Sequence, residues 1–209
     1  MTFTYELSTP IPRSSRRAQG QTITGDSNTA ELDALLEGVR RLAPEAFRQL
    51  YEMLADGLNS FAYSMLRESG AAEDAVQQAF LELVKAAPTI RGDGRSLRAW
   101  LFRSVRFRCL DEIRRRRRHP ETLHGQVPDD LLSTDPSPGG EGDLAAAMSE
   151  LTHQQRAVLF LRHVMGMSGH EVAVVLETNR AAVFAIAARA ERRLRQLLSD
   201  DGPLARESA

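Results

Sequence analysis

The sequence predicts an all-α protein of two small helical domains joined by a flexible acidic linker. Two stretches, 30–118 and 148–198, carry apolar residues at three- and four-residue intervals. Neither shows the two-residue alternation of a strand, and the chain has no internal repeat. Between them, residues 119–147 combine four prolines, several glycines and a block of acidic charge, the composition of a linker. Residues 1–29, rich in Ser, Thr, Gln, Pro and Gly, read as a flexible arm, and 199–209 as a tail.

The first helix is expected from Ala30, with Leu32, Leu35, Leu36, Val39 and Leu42 at helical spacing. Pro44 suits the first turn of a second helix, where the missing N–H costs no bond. That helix offers Phe47, Leu50, Tyr51 and Leu54, then Leu58, Phe61, Ala62, Met65 and Leu66 past Gly57. Gly70 reads as the glycine that closes it. A third helix is expected near Ala72, with Glu73 and Asp74 in a first turn whose dipole favours carboxylates. Its buried stripe is Ala75, Val76, Ala79, Phe80, Leu83 and Val84. Pro88 and Arg91-Gly92-Asp93-Gly94 break it, and Ser96 can cap a long fourth helix reaching Arg118.

In the second unit, Thr152 with Gln155 and Ser168 with Glu171 each match a capping box, and Gly166 separates the two helices they open. Asn179 can cap a last helix over 180–198, after a three-residue turn from Leu176. Two helices joined by a short turn, the second long and rich in arginine, match a helix-turn-helix.

The 27 basic and 28 acidic side chains give a formal charge of −1. That balance hides strong segregation. Residues 91–119 carry 11 arginines and a net +8, whereas 120–150 carry a net −7 and no basic residue. A basic block followed directly by an acidic one suggests two different partners, or one partner with two differently charged surfaces, the alternative being that each is simply solvated. The acidic one is then either a tether or a crude phosphate mimic for a positively lined channel.

Several classes are excluded. No apolar run is long enough to span a membrane, and no apolar segment follows the N-terminal arginines as in a secretory signal. The single cysteine, Cys109, can form no internal disulfide, and no Cys/His cluster has zinc spacing. A cytoplasmic protein without cofactor or metal fits this composition. No HExxH, GxxxxGK[ST] or GxSxG pattern occurs, so no catalytic constellation emerges and a non-enzymatic role is expected. His170-Glu171 reads as a first-turn pair, and Cys109 as packing.

The fourth helix carries the sharper signal. At about 100° per residue, Trp100, Arg103, Phe107 and Arg114 share one face, while Leu97, Leu101, Phe102, Val105 and Cys109 share another suited to a core. Aromatic rings interleaved with arginines give single-stranded nucleic acid both stacking faces and phosphate partners. The alternative for Trp100 and Phe107 is packing against a neighbouring helix. Five consecutive arginines, Arg114 to Arg118, tilt the balance towards nucleic acid.

Two blocks resemble a known family. AEDAVQQAFLELV, followed by RGDGRSLRAWLFRSVRFRCLDEIRRRRR, resembles region 2 of the extracytoplasmic-function sigma factors of bacterial RNA polymerase. LTHQQRAVLFLRHVMGMSGHEVAVVLETNRAAVFAIAARAERRLRQLL resembles region 4 of the same family, and the acidic segment falls where its interdomain linker falls. The resemblance implies that Asp74 and Gln77, with Gln78 and Glu82, dock on the clamp helices of the polymerase β′ subunit. It implies that Arg91, Arg95, Trp100, Arg103, Phe107 and Arg114 hold the melted minus-ten strand. Arg180, Ala181, Phe184, Ala185, Arg189 and Arg192 would face the minus-thirty-five duplex, and the same unit would meet the β flap. An anti-sigma factor is a common partner in the family.

Two departures stand out. Phe107 replaces an asparagine usual in the minus-ten helix, and Phe184, Ala185 and Ile186 stand where a lysine, a serine and an arginine are common. Alanine and phenylalanine touch thymine methyls but offer no hydrogen bonds to base edges. Two other readings therefore stay open: a stand-alone helix-turn-helix regulator, and a sigma-like decoy whose second unit binds a protein.

Overall fold

A computed structural model describes residues 27–118 and 141–199. Among these residues every regular element is helical. The first unit comprises α1 (Ser27–Arg40), α2 (Pro44–Leu66), α3 (Ser69–Ala86), a 3₁₀ turn (Ala87–Thr89) and α4 (Gly94–Arg118). The second comprises α5 (Glu141–Ser149), α6 (His153–Leu159), a π-helical turn (Phe160–Val164), α7 (Gly169–Leu176) and α8 (Arg180–Leu198). Most of the N-terminal arm, of the acidic segment and of the tail lies outside the described residues, and α1 begins at Ser27, within the stretch read as arm.

Local chemistry sets most helix ends. Pro44 opens α2. The Thr152 and Ser168 capping boxes both form, with each serine or threonine hydroxyl accepting from the N3 amide and each N3 side chain accepting from the cap amide. Asn179 Oδ1 accepts from the Ala182 amide at 2.8 Å and starts α8. Glu177, at φ 52°, turns the chain between α7 and α8.

Some boundaries differ from the expectation. Arg67, at φ 57°, terminates α2, and its amide bonds back to the Tyr63 carbonyl. Gly70 lies in the first turn of α3, which begins earlier than Ala72 because the Glu68 side chain accepts from the Ala71 amide. Asp93, not Ser96, caps α4: its Oδ1 accepts from the Ser96 amide and hydroxyl at 2.9 and 2.8 Å, which holds its carboxyl below the usual range. Residues 141–147, expected as the end of the linker, lie in α5, and Ala147 is fully buried. Leu42, expected inside, is exposed beyond the end of α1.

One buried cluster runs through both units. Leu32, Leu50, Leu58, Phe61, Leu97 and Phe102 are among its largest members in the first unit, and Leu161 continues it into the second. Phe61 stands at the joint. Its ring centroid lies 5.4 Å from that of Phe102 on α4 and 5.8 Å from that of Phe160 in the π turn. Gly57 allows the close approach, since a Cβ there would sit 2.9 Å from Met165 Cε.

Two polar contacts cross the same seam. Arg98 of α4, almost wholly buried, donates from Nη2 to Glu171 Oε1 of α7 at 2.7 Å. Arg156 of α6 donates to the Ser64 carbonyl at 2.7 Å and to the Leu151 carbonyl at 2.6 Å. Its guanidinium thereby bonds carbonyls in the last turn of α2, at Ser64, and of α5, at Met148 and Ser149.

Phe61→Ala should cost about 3–5 kcal/mol, the range for truncating a buried aromatic. Because its ring serves both units, both should lose stability together. Far-UV circular dichroism melts, followed by hydrogen exchange in α2 and α6, would register this; loss of protection in α2 alone would contradict it.

Candidate nucleic-acid interface

The α4 face singled out by its aromatic and arginine residues is assembled as follows. Trp100, Arg103, Ser104 and Phe107 line an open hollow of about 220 Å³, with Glu82 of α3 on its rim. The Arg103 guanidinium lies 5.4 Å from the Phe107 ring centroid, and Phe107 is exposed. Trp100 is half-buried against the core. Arg114, on the same face but several turns further along, pairs with Asp111 at 2.9 Å and takes no part in the hollow. Arg91 and Arg95 are exposed near the start of α4.

The second unit closes over one side of this face. A cleft of about 360 Å³ is lined by Arg95, Ser96, Trp100 and Arg103 on one wall and by His170, Glu171 and Val174 on the other. Arg103 forms an ion pair with Glu177, at the end of α7. Glu171 anchors the closure. Burial pushes its carboxyl up, but hydrogen bonds from Arg98 and from Ser168 outweigh that and hold it below its ordinary value. Arg98 was not singled out in the sequence, because nothing local shows that a guanidinium in α4 will be buried. Cys109 is buried nearby, and desolvation raises its thiol to about 12, so it is packing and not a thiolate nucleophile.

On α3, Asp74, Gln77 and Gln78 are exposed, as expected. Glu82 is not part of that outward face: it turns towards α4, paired with Arg108 and accepting from the Ser104 hydroxyl. Val84, expected inside, is 46% exposed, and Leu81 is 56% exposed. At about 100° per residue, Asp74, Gln77, Leu81 and Val84 fall within about 80° of one another. The sequence reading missed Leu81, although its position seven residues after Asp74 carried the signal.

On α8, Val183, Ala187 and Ala190 point inward and Leu194 is half-buried. Arg180, Ala181, Phe184, Arg189 and Arg192 are exposed, and Ala185 is half-buried.

The arrangement has known relatives. Residues 50–119 match the family model for Sigma-70 region 2, and residues 141–194 match that for Sigma-70 region 4. The sigma factor SigM of Mycobacterium tuberculosis is 32% identical over 155 residues, covering 73% of this chain and 77% of that one. The chain belongs to the extracytoplasmic-function sigma factors of RNA polymerase. Another member, BldN of Streptomyces coelicolor, is 28% identical over 185 residues, covering 84% of this chain and 69% of its own. Among solved structures, CnrH in complex with the cytosolic domain of CnrY matches with a TM-score of 0.62 at 25% identity, over 82% of this chain and 99% of that one. The fold is shared with the RpoE sigma factor of Bartonella quintana, solved with the anti-sigma factor NepR, at a TM-score of 0.59 over 73% of this chain and 96% of that one. The protein is an RNA polymerase sigma factor, and most of α2 with α3 and α4 falls in its region 2, and α5 to most of α8 in its region 4.

Glu171→Gln keeps a side chain suited to the capping box but leaves Arg98 buried without an anion. Breaking a buried pair in this way costs about 3–5 kcal/mol, so the variant should part the two regions and enlarge the radius of gyration in small-angle scattering. Because the folded carboxyl titrates below its ordinary value of 4.5, its contribution is complete above that value and disappears as pH falls through the lowered one. The stability gap between wild type and variant should therefore be flat at neutral pH and close in acid. A gap independent of pH down to 3 would contradict the assignment.

Proposed function

We propose that this sigma factor, a non-enzymatic subunit, binds core polymerase through the outward face of α3, holds the opened minus-ten strand on α4 and engages the minus-thirty-five duplex with α8. The observation that carries this reading is the hollow of α4, where Trp100, Arg103 and Phe107 surround one exposed space. Flat rings and a cation in that arrangement suit an unpaired base and its phosphate, with stacking worth about 1–3 kcal/mol per base.

The α3 stripe supports the polymerase contact. Asp74 and Gln77 provide polar register, and Leu81 and Val84 provide apolar area for a partner helix. Glu82 is better assigned to α4, where it balances Arg108.

Region 4 covers part of the α4 face, so the seam must open before both regions reach separate promoter elements. Polymerase or promoter binding would supply the opening energy, since any ligand that prefers the open form shifts the equilibrium towards it. Both solved relatives are in complex with a protein, an anti-sigma factor in the case of RpoE, and a protein of that kind is a candidate partner here. The exposed Val164, Val174 and Phe184 favour a second reading, in which region 4 meets a protein in place of duplex DNA.

Transcription with purified core polymerase and a promoter library tests the proposal. Specific initiation supports it; core binding without initiation favours the second reading. Asp74→Arg with Leu81→Asp should weaken core binding at least tenfold while leaving helical content unchanged. Trp100→Ala and Phe107→Ala should reduce promoter opening by about tenfold, the effect of one lost stack, with core binding retained. Normal opening by either folded variant would remove that ring from the DNA face.

A further inference from the structure

Near the start of α8 two cations converge on one exposed aromatic side chain. Phe184 is 41% exposed on α8. The Arg162 guanidinium, from the π turn, lies 4.8 Å from its ring centroid, and that of Arg180, one turn earlier on α8, lies 5.5 Å away. The ring is backed by α7: a Cβ on Gly169 would come within 3.2 Å of its Cε2. Two helices and a turn thus meet at one aromatic side chain.

These cations differ from the arginines of α4. There, Arg98, Arg103, Arg108, Arg114, Arg115 and Arg116 all have carboxylate partners. Neither Arg162 nor Arg180 is within ion-pair distance of a carboxylate among the described residues. An arginine stacked on a ring keeps the N–H donors at its edge available, and its planar fork matches a phosphate. The ring holds each long side chain in place and so lowers the entropy lost on binding.

We propose that Arg162, Phe184 and Arg180 form a single phosphate-gripping element for duplex DNA, in which Phe184 positions the two guanidiniums. This rests on the reading of region 4 as a duplex-binding unit. Arg162 lies outside the helix-turn-helix pair, at its flank, where side chains meet the DNA backbone and not base edges. The element supplies, from Arg180 one turn earlier and from Arg162 on the π turn, the charge that Phe184 itself lacks. It positions the duplex without choosing its sequence.

The test is promoter binding by polymerase carrying the full-length chain, measured over a salt series and on promoters with varied minus-thirty-five elements. Arg162→Ala should weaken binding by a similar factor on every promoter and lower the slope of log affinity against log salt by about 1. Phe184→Leu keeps apolar bulk but removes the ring face, and should weaken binding in the same sequence-independent way. Circular dichroism melts establish that each variant is folded.

If Arg162→Ala changes neither affinity nor slope while Arg189→Ala and Arg192→Ala lower both, the element is refuted and the duplex-binding reading stands. If Arg162→Ala alters preference at one base pair with an unchanged slope, the phosphate assignment is wrong. If none of these substitutions affects binding, the duplex-binding reading itself falls.

Discussion

The contact between Arg98 and Glu171 is the constraint on which the arrangement of the two regions depends. Both side chains are buried, 73 residues apart in sequence, and each is the other's compensating charge. Desolvating a lone guanidinium or carboxylate costs several kcal/mol, so neither can stay in the seam if the other leaves. Glu171 is also tied to the start of α7, since its Oε2 accepts from the Ser168 amide at 2.9 Å. The pair thereby fixes the first turn of α7 against the early turns of α4. Phe61, Gly57 and Arg156 then fill, admit and bond across a seam whose register is already set.

That seam bears on how the charge of α4 is managed. Its arginines look like an open cationic surface in sequence, but carboxylates from α3, α4 and the α7–α8 turn meet most of them. Arg108 pairs with Glu82, Arg103 with Glu177, and Arg116 with both Glu68 and Glu112. Such partly exposed pairs contribute about 0–1 kcal/mol each, so a phosphate chain displaces them at small cost. The buried Arg98 pair is of another kind and resists exchange. Of these pairs only those of Arg98 and Arg103 cross to region 4, so opening the seam would free those two guanidiniums on the proposed DNA face.

Region 4 is organised differently. The exposed arginines of α8 face few carboxylates, and Ala181, Phe184 and Ala188 lie exposed among them. Small side chains let a backbone approach closely, and the flanking cations provide the long-range attraction. This suits a unit that adds affinity and position more than sequence discrimination.

The sequence by itself determined the helical class, the two-unit plan, the inward faces of α4 and α8, and the caps at Thr152, Ser168 and Asn179. Those features depend on interactions three or four residues apart, and such spacings are written directly in the chain. It also brought Trp100, Arg103 and Phe107 onto one face, because a helix fixes their angular separation. Tertiary structure alone decided the rest. Val84 belongs to the apolar period of α3, yet no neighbour covers it. Glu82 points at Arg108 because α3 lies against α4, and Arg162 reaches Phe184 because the π turn packs beside α8. Arg98 is hidden because α7 docks on it. In each case the deciding partner comes from another element, and no local spacing encodes where that element will lie.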